Sequence, residues 1–548
     1  MTSLRVPSPG GIPRARLWLV ASVFMLWGAC ALFTLHRLQI VRVDDMRARA
    51  RRQQECIIRV EPRRGMILDR MGRQLAVSTD AFTVYASASQ VGEEPGSLAK
   101  LAHLLGVPPS RVARKLARGG FVLLERRLAP DVADAIRDAK IPGVELVAEA
   151  KRFYPQGELA AQVLGFVVPD NPDLREGLEQ RYDDVIRGTP GAWLALRDAT
   201  GRHIRMEARQ APAPGHDIVT SIDEVIQHIA ERELAAAVRE TGARGGMVVV
   251  LNTPTGEVLA LANRPTFNPN QYGKAKPAAR RDRVVTDYYE PGSTFKIITA
   301  AAAIDEGLVR ASEAIDCENG LIRVAGVPIR DHKPFGILSF REVIEESSNV
   351  CAIKVGMRLS RAAFYDYVAR FGFGARTGID LPGETPGLLR PTSRWSATSQ
   401  AYMSFGQEIA VSALQVAAAF SAVANGGVWV PPHVVTRVLD PDGRSAKVPE
   451  LPAPRRVISE STARTLVDLM EATVWEGTGK KAAVPGYRAA GKTGTAQKYA
   501  GGKTYSESQF IASFCGFVPA RHPVLTIHVV LDDPSGDHYH GGDVAAPA

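Results

Sequence analysis

Cysteine is scarce in this chain. Five residues, Cys30, Cys56, Cys317, Cys351 and Cys515, are spread over 548 positions with no C-x-x-C pair, a pattern that gives neither a disulfide framework nor a zinc site. Cys351 and Cys515 sit among apolar neighbours and read as small buried side chains, with a Cys317–Cys351 bridge left open. Charge of one sign is never gathered into a long block. The 67 Lys+Arg against 58 Asp+Glu give +9 and a pI near 9.3, spread along the sequence. Arginine-rich stretches occur at 47–52 and 59–64, without zinc-finger spacing or an aromatic RNA-binding signature. The balance therefore suits an anionic membrane surface or an acidic glycan rather than nucleic acid. No repeat of solenoid length is present.

Long uncharged apolar runs are absent with one exception, residues 17–35, preceded by Arg5, Arg14 and Arg16. At about 1.5 Å per residue this run nearly matches a hydrocarbon core of about 30 Å. Ala29-Cys30-Ala31 imitates a signal-peptidase site, but apolar residues continue through Leu35, which favours an uncleaved anchor. Trp27 argues against a lipoprotein reading of Cys30. Six arginines between 37 and 52 would, by count alone, place the N-terminus outside. Long domains are exported with little regard to charge, however, and the long C-terminal portion carries serine chemistry that sets the orientation here.

That chemistry lies in three strings: Ser293-Thr294-Phe295-Lys296, Ser347-Ser348-Asn349 and Lys492-Thr493-Gly494-Thr495. An isolated S-x-x-K is usually an N-capping serine with an exposed lysine; three such strings in this order point to one catalytic centre. Pro291-Gly292 before Ser293 and the Ala-rich run 297–303 after it predict a helix that starts at the serine, with Lys296 beside it on the same face. A serine hydroxyl needs a base, and a lysine serves only if burial or nearby positive charge lowers its pKa. Lys492 can supply that charge. The Ser293 backbone N–H is placed to donate to a developing oxyanion.

Length and 45% hydrophobic content allow two or more domains. Between anchor and strings lies a mixed segment, 52–214, with a turn near 70–73, an extended stretch from 74, and helices at 97–105 and 130–139. Ala211-Pro212-Ala213-Pro214-Gly215 marks a linker. Ser221-Ile222-Asp223-Glu224 has capping-box spacing before a helical run, and the runs 246–251 and 257–262 form a hairpin around 252–256. Residues 294–424 read as mostly helical, with loops at 316–333 and 372–391. Strand character returns at 492–497, 510–518 and 524–531. Two early and three late strands imply an α+β domain with one antiparallel sheet and helices inserted in the middle.

With these strings, Arg64-Gly65-x-Ile67-x-Asp69-Arg70-x-Gly72, Gly177-Leu178-Glu179 and Gly188-Thr189-Pro190-Gly191, the chain from 17 to its end resembles the class B penicillin-binding proteins. These are monofunctional peptidoglycan D,D-transpeptidases with one membrane anchor. The resemblance implies a five-stranded antiparallel transpeptidase domain on a mixed α/β pedestal: cytoplasmic tail 1–16, anchor 17–36, dimerisation-type pedestal 37–214 and transpeptidase domain 215–548. It implies that Ser293 attacks the carbonyl between the last two D-alanines of a stem peptide, releasing D-Ala and leaving an acyl-enzyme that a second peptide amine resolves. Lys296 would take the serine proton, Ser347 would pass one to the leaving amine, and Asn349 would hold Lys296 and the substrate amide. Lys492, Thr493 and Thr495 would bind substrate, Lys492 and Thr495 at its carboxylate, and the Thr495 N–H would complete the oxyanion hole. A side chain at Gly494 would block approach of substrate to the edge strand. No cofactor or metal is expected. Expected partners are stem peptides, β-lactams as covalent inhibitors, a membrane-embedded glycosyltransferase and division proteins, at a bacterial inner membrane with the catalytic domain outside the cytoplasm.

Septal action is the favoured role, on overall length and the compact catalytic domain. Elongation-linked action, a β-lactam sensor and a scaffold are the alternatives. Glu384 stands about where a class A β-lactamase keeps a water-activating glutamate, but without that family's E-x-x-L-N string it reads as a solvated loop carboxylate. His538-Tyr539-His540 lacks a third metal ligand, and His540-Gly541-Gly542 looks like a family loop beside the active site. Two departures stand out. Glu408 occupies a place where many relatives carry glycine. The sequence ends at Ala545-Ala546-Pro547-Ala548, where relatives continue into a helix over the sheet, so one apolar sheet face is expected to be partly open.

Overall fold

The computed structural model describes residues 13–93, 96–168, 171, 174–197, 203–447, 450–499, 505–536 and 539–548. They fall into two compact units. The smaller comprises Met1–Pro62, Asp80–Ala150 and Thr189–Ala213; the larger comprises Arg63–Thr79, Lys151–Gly188 and Pro214–Ala548.

In the smaller unit the apolar run forms helix α1 (Arg14–His36), which has no buried residue. At about 1.5 Å per residue it is long and apolar enough to cross a membrane. A three-stranded antiparallel sheet, Glu55–Val60, Gly191–Arg197 and His203–Gln210, belongs to the same unit. Helices Ser97–Leu104, Pro109–Leu116 and Pro130–Asp138 bury Leu101, Val112, Leu116 and Ile136 against Val84 and Leu124. The first and third match the helical periods predicted at 97–105 and 130–139.

In the larger unit the elements that matter for the site are α2 (Glu224–Thr241), β1 (Gly245–Asn252), β2 (Val258–Arg264), α3 (Lys296–Asp305), α4 (Asn349–Gly356), α5 (Ala413–Ala424), α6 (Glu460–Trp475), β3 (Ala490–Tyr499), β4 (Tyr505–Val518) and β5 (Leu525–Asp532). The strands form one sheet in the order β2-β1-β5-β4-β3, antiparallel throughout. Two early and three late strands thus share a sheet, because β5 pairs β1 from Leu525↔Asn252 to Asp532↔Gly245. On one face Leu234 and Ala237 of α2 pack with Val248, Val250, Val529 and Leu531, while Phe514, Leu525 and Ile527 stay half-buried, so this face is covered unevenly. Helix α5, buried from Ala413 to Val423, packs against β1, β4 and β5.

Two local expectations are corrected, and one left open is decided. Helix α2 is capped by Asp223, whose carboxylate accepts from the N–H groups of Val225 (3.0 Å) and Ile226 (3.3 Å), whereas the Ser221 hydroxyl donates to the Val258 carbonyl at 2.7 Å. A serine and a glutamate three apart fit two registers, and strand contact chose the other one. The predicted loop 316–333 contains a hairpin, Leu321–Val324 paired with Val327–Arg330. Cys351 is buried as expected, and the bridge left open is formed: it is disulfide-bonded to Cys317, and both are fully buried.

Two sequence signatures meet inside the larger unit. Glu179, fully buried, pairs with Arg64 (2.9 Å) and Arg152 (2.5 Å) and accepts from the Tyr154 hydroxyl at 3.2 Å; Arg64 also pairs with Asp183 at 2.7 Å. Burial pushes the Glu179 carboxyl up, but Arg152 and Arg64 outweigh it and hold the group below its usual range. Removing one partner of such a cluster leaves uncompensated buried charge. Glu179→Ala should therefore lose roughly 3–5 kcal/mol of stability, read as a lowered midpoint in urea unfolding followed by fluorescence. A midpoint equal to wild type would show that the arginines find water instead.

Candidate active site

Ser293 lies in a 3₁₀ turn, Gly292–Phe295, that runs directly into α3. Residues 296–303 of α3 are all buried, because the Ala/Ile-rich run is apolar all round and becomes a core helix. Lys296 is carried inside with it, 1% exposed. The turn fits only because residue 292 is glycine: its φ is +56°, and a Cβ would stand 2.8 Å from the Thr495 carbonyl oxygen.

The second string follows the helix Phe340–Glu345, which opens with a reciprocal capping box between Ser339 and Glu342. Ser347 takes a left-handed conformation, φ 61°, before Ser348 caps α4 by accepting from the Cys351 N–H at 3.1 Å. The third string is the centre of edge strand β3, with Lys492 fully buried.

The three strings converge on the Ser347 hydroxyl. Its oxygen accepts from the Lys296 amine at 3.2 Å and from the Lys492 amine at 3.0 Å, and Lys296 also donates to the Ser347 carbonyl. Two acceptor positions are then filled, so the hydroxyl's own proton is directed elsewhere. Ser347, Ser293, Asn349, Thr493 and Thr495 line one cavity of about 540 Å³. Among the described residues the Ser293 hydroxyl makes no hydrogen bond, to Lys296 or to any other group. The Asn349 amide donates to the Arg330 carbonyl at 3.1 Å rather than meeting Lys296.

Burial, reinforced by Lys492, drives the Lys296 pKa well below that of a free lysine, with Asp331 opposing. Burial brings Lys492 down to about 7. Near neutrality both amines therefore lose protons far more readily than surface lysines, as a lysine base requires. Burial, then Lys296 and Lys333, also lowers the pKa of His332, which lines the same cavity.

Gly494 is required by close packing inside the protein itself. A Cβ there would meet the Ser513 hydroxyl at 2.4 Å and the Pro291 carbonyl at 2.9 Å, so the glycine lets β3 lie against the Ser293 turn. The Thr493 hydroxyl bonds Thr478 at 2.9 Å, and the Thr495 hydroxyl accepts from the Gly541 N–H at 3.0 Å. Glu384 is buried, not solvated: it accepts from the Thr377 N–H (2.7 Å), the Thr377 hydroxyl (2.6 Å) and the Gly378 N–H (3.1 Å), and braces its own loop. Glu408 does sit in a glycine-type conformation, φ 58°. Its charge is met by Arg390 and by the Ser399 hydroxyl at 2.7 Å.

Sequence reasoning missed the cavity residues Thr478, Phe510 and His332. Phe510 stacks on Tyr539 with ring centroids 4.1 Å apart. No local pattern marks the three missed side chains, which come from two separate loops and a strand. His540 and Gly542 do line the cavity, as the loop reading expected; His538 lies outside the described residues.

A family model for the penicillin-binding protein transpeptidase domain matches residues 246–548, and one for the penicillin-binding protein dimerisation domain matches 59–220. The chain is 37% identical to the probable peptidoglycan D,D-transpeptidase PenA of Neisseria meningitidis over 88% of its length and 82% of that protein. It is 35% identical to the peptidoglycan D,D-transpeptidase FtsI of Escherichia coli, covering 96% of this chain and 88% of that one. Among solved structures, penicillin-binding protein 3 of Mycobacterium tuberculosis complexed with aztreonam superposes with a TM-score of 0.70 at 29% identity, covering 89% and 94% of the two chains.

Replacing Lys492 tests the charge coupling between the amines. In Lys492→Met a positive neighbour is gone, so Lys296 keeps its proton to higher pH, and the acid limb of the benzylpenicillin acylation profile should move upward. Stopped-flow measurement from pH 5 to 9 reads this directly. A limb that stays in place or moves down would contradict the coupling.

Proposed function

The chain belongs to the class B penicillin-binding proteins, and on that premise we propose that Ser293 is the nucleophile of its reaction, with Lys296 as the base that activates it. The protein is a penicillin-sensitive serine D,D-transpeptidase that acts on peptidoglycan, and it is membrane-anchored. One observation carries the residue assignment: two buried amines share the Ser347 hydroxyl at the wall of the cavity that Ser293 lines.

In the proposed sequence the Ser293 oxygen attacks the penultimate D-Ala carbonyl while its proton passes to neutral Lys296. The N–H groups of Ser293 and Thr495 receive the oxyanion. As the C–N bond breaks, Ser347 gives its proton to the leaving D-Ala amine and is reprotonated from Lys296 through the 3.2 Å contact. An acceptor amine then attacks the ester, and Ser293 regains its proton. Lys492, Thr493 and Thr495 bind the donor peptide, with Lys492 and Thr495 at its terminal carboxylate. Gly494 allows the strand that presents them, and Asn349 holds the substrate amide.

The division into tail 1–16, anchor 17–36, pedestal 37–214 and transpeptidase portion 215–548 is supported by α1 and by the two family-model matches. The orientation with the catalytic portion outside the cytoplasm follows from the substrate, since peptidoglycan is cross-linked there. Septal action, with a glycosyltransferase and division proteins as partners, is favoured by overall length and by the nearly full-length match to FtsI.

Ser293→Ala should abolish fluorescent penicillin labelling and growth support together, and wild-type labelling should concentrate at mid-cell. Growth support without labelling would indicate a scaffold. Labelling along the side wall would indicate elongation.

A further inference from the structure

We propose that His332 is a further catalytic residue: its ring takes the proton that the acceptor amine, an ammonium in water, must shed before it attacks the Ser293 acyl-enzyme. The proposal rests on the reading of Ser293 as the nucleophile, with Lys296 and Ser347 as its proton carriers.

The proton balance of the second half-reaction calls for such a group. An ammonium nitrogen loses two protons on its way to an amide. One ends on the Ser293 oxygen as the amide C–N bond forms and the ester C–O bond breaks; it travels by Ser347 and Lys296, the reverse of the acylation route, through their 3.2 Å contact. The other must leave first, because an ammonium has no lone pair with which to attack. Lys296 has a single lone pair, which the first of these protons occupies.

His332 is placed to take the other. It lines the cavity with Ser293, Ser347 and Asn349, and it follows the Leu321–Val324/Val327–Arg330 hairpin, a separate segment from β3, which holds the donor peptide in the proposed reaction. Among the described residues its ring makes no hydrogen bond and no ion pair; it meets Phe335 edge-on, with centroids 5.4 Å apart. A neutral imidazole has one nitrogen that accepts, and here no protein group occupies it. The side chain is exposed to solvent, so a proton taken from the amine passes on to water. The other candidates in the cavity are differently engaged: Asp543 pairs with Lys481 at 2.8 Å, and the His540 ring lies against Tyr539 with centroids 4.4 Å apart.

The surrounding charges keep the His332 ring neutral. Partial burial, then Lys296 and Lys333, hold it below the usual histidine range, and Asp331 and Glu346 oppose them without prevailing. Lys333 is fixed nearby by Glu346 at 2.7 Å and by the Phe335 ring, 5.0 Å from its centroid. Near neutrality the ring is therefore a base with its lone pair free. The same positive surroundings, with Lys480 and Lys481 on the cavity wall, disfavour an entering ammonium, so it yields its proton more readily there than in water.

The two half-reactions can be read separately on the full-length protein. N-benzoyl-D-alanyl thioglycolate supplies the acyl group and D-alanine the acceptor amine, with the aminolysis product measured chromatographically; benzylpenicillin acylation, in which no amine enters, is followed in parallel. His332→Gln should lose aminolysis about a hundredfold, as removal of a general base does, while acylation falls far less. Wild-type aminolysis should level off between the titrations of His332 and D-alanine, whereas in the variant it climbs with pH until the D-alanine amine is free. Added imidazole should restore part of the lost rate. A purely structural role would lower both rates together and leave the shape of the profile unchanged. Equal losses in the two reactions, wild-type aminolysis in His332→Gln, or a loss confined to His540→Gln would overturn the proposal. Ser293→Ala run alongside distinguishes the two failures: persistent acylation there refutes the site itself, whereas its loss beside unaltered aminolysis in His332→Gln refutes only the role of the histidine.

Discussion

Two lysine amines, both withdrawn from water, face a single serine hydroxyl, and the surrounding structure exists to sustain that arrangement. Burying one ammonium is costly, and burying two side by side is more so, because each opposes the charge of the other. The cost is relieved when protons leave, which makes the amines available as bases near neutral pH. Lys296 is held there by a helix buried all round and Lys492 by an edge strand whose ladder to β4 runs from Ala490↔Phe517 to Tyr499↔Tyr505. Neither side chain can reach water without moving a core element. Burial of that kind is a property of the packed unit, not of either string.

The site is assembled by close backbone approach. Glycines at 292, 406 and 494 each stand where a Cβ would collide with a neighbouring segment; at Gly406 the obstacle is the Gly292 carbonyl oxygen, 2.1 Å away. The loop at 405–408, the Ser293 turn and β3 therefore lie against one another with no side chain between. Glu290 extends this contact: its carboxylate accepts from the Glu408 N–H at 2.9 Å and from the Tyr505 hydroxyl at 3.0 Å. Three segments far apart in sequence are tied beside the Ser293 turn by one side chain.

Features with a local physical signature were legible in the chain. The 246–262 hairpin, α2 and the late strands follow from apolar periodicity and a Pro-Thr-Gly turn, and their union in one sheet follows from the need to bury both faces. Features decided by partners distant in sequence were not. Ser221 and Asp223 compete for one cap, and a strand carbonyl at Val258 settles it. Glu384 looked like an exposed loop acid because its donors, Thr377 and Gly378, form a niche visible only once the loop closes. Cys317 and Cys351 carry no spacing rule, and they meet only once segments 34 residues apart have packed together.

By itself the sequence determined the chemical inventory: one apolar anchor, a serine with a lysine one helical turn away, a second serine and a second lysine, and the order in which they occur. Helical spacing and strand alternation act over a few residues, so a linear reading reaches them. Tertiary structure decided which groups touch, that Ser347 is the point where both amines meet, that Gly494 serves packing against the Ser293 turn, and that Asp331 bonds the Ser348 hydroxyl from another segment. Those outcomes depend on distances between segments up to two hundred residues apart, and only the packed core sets such distances.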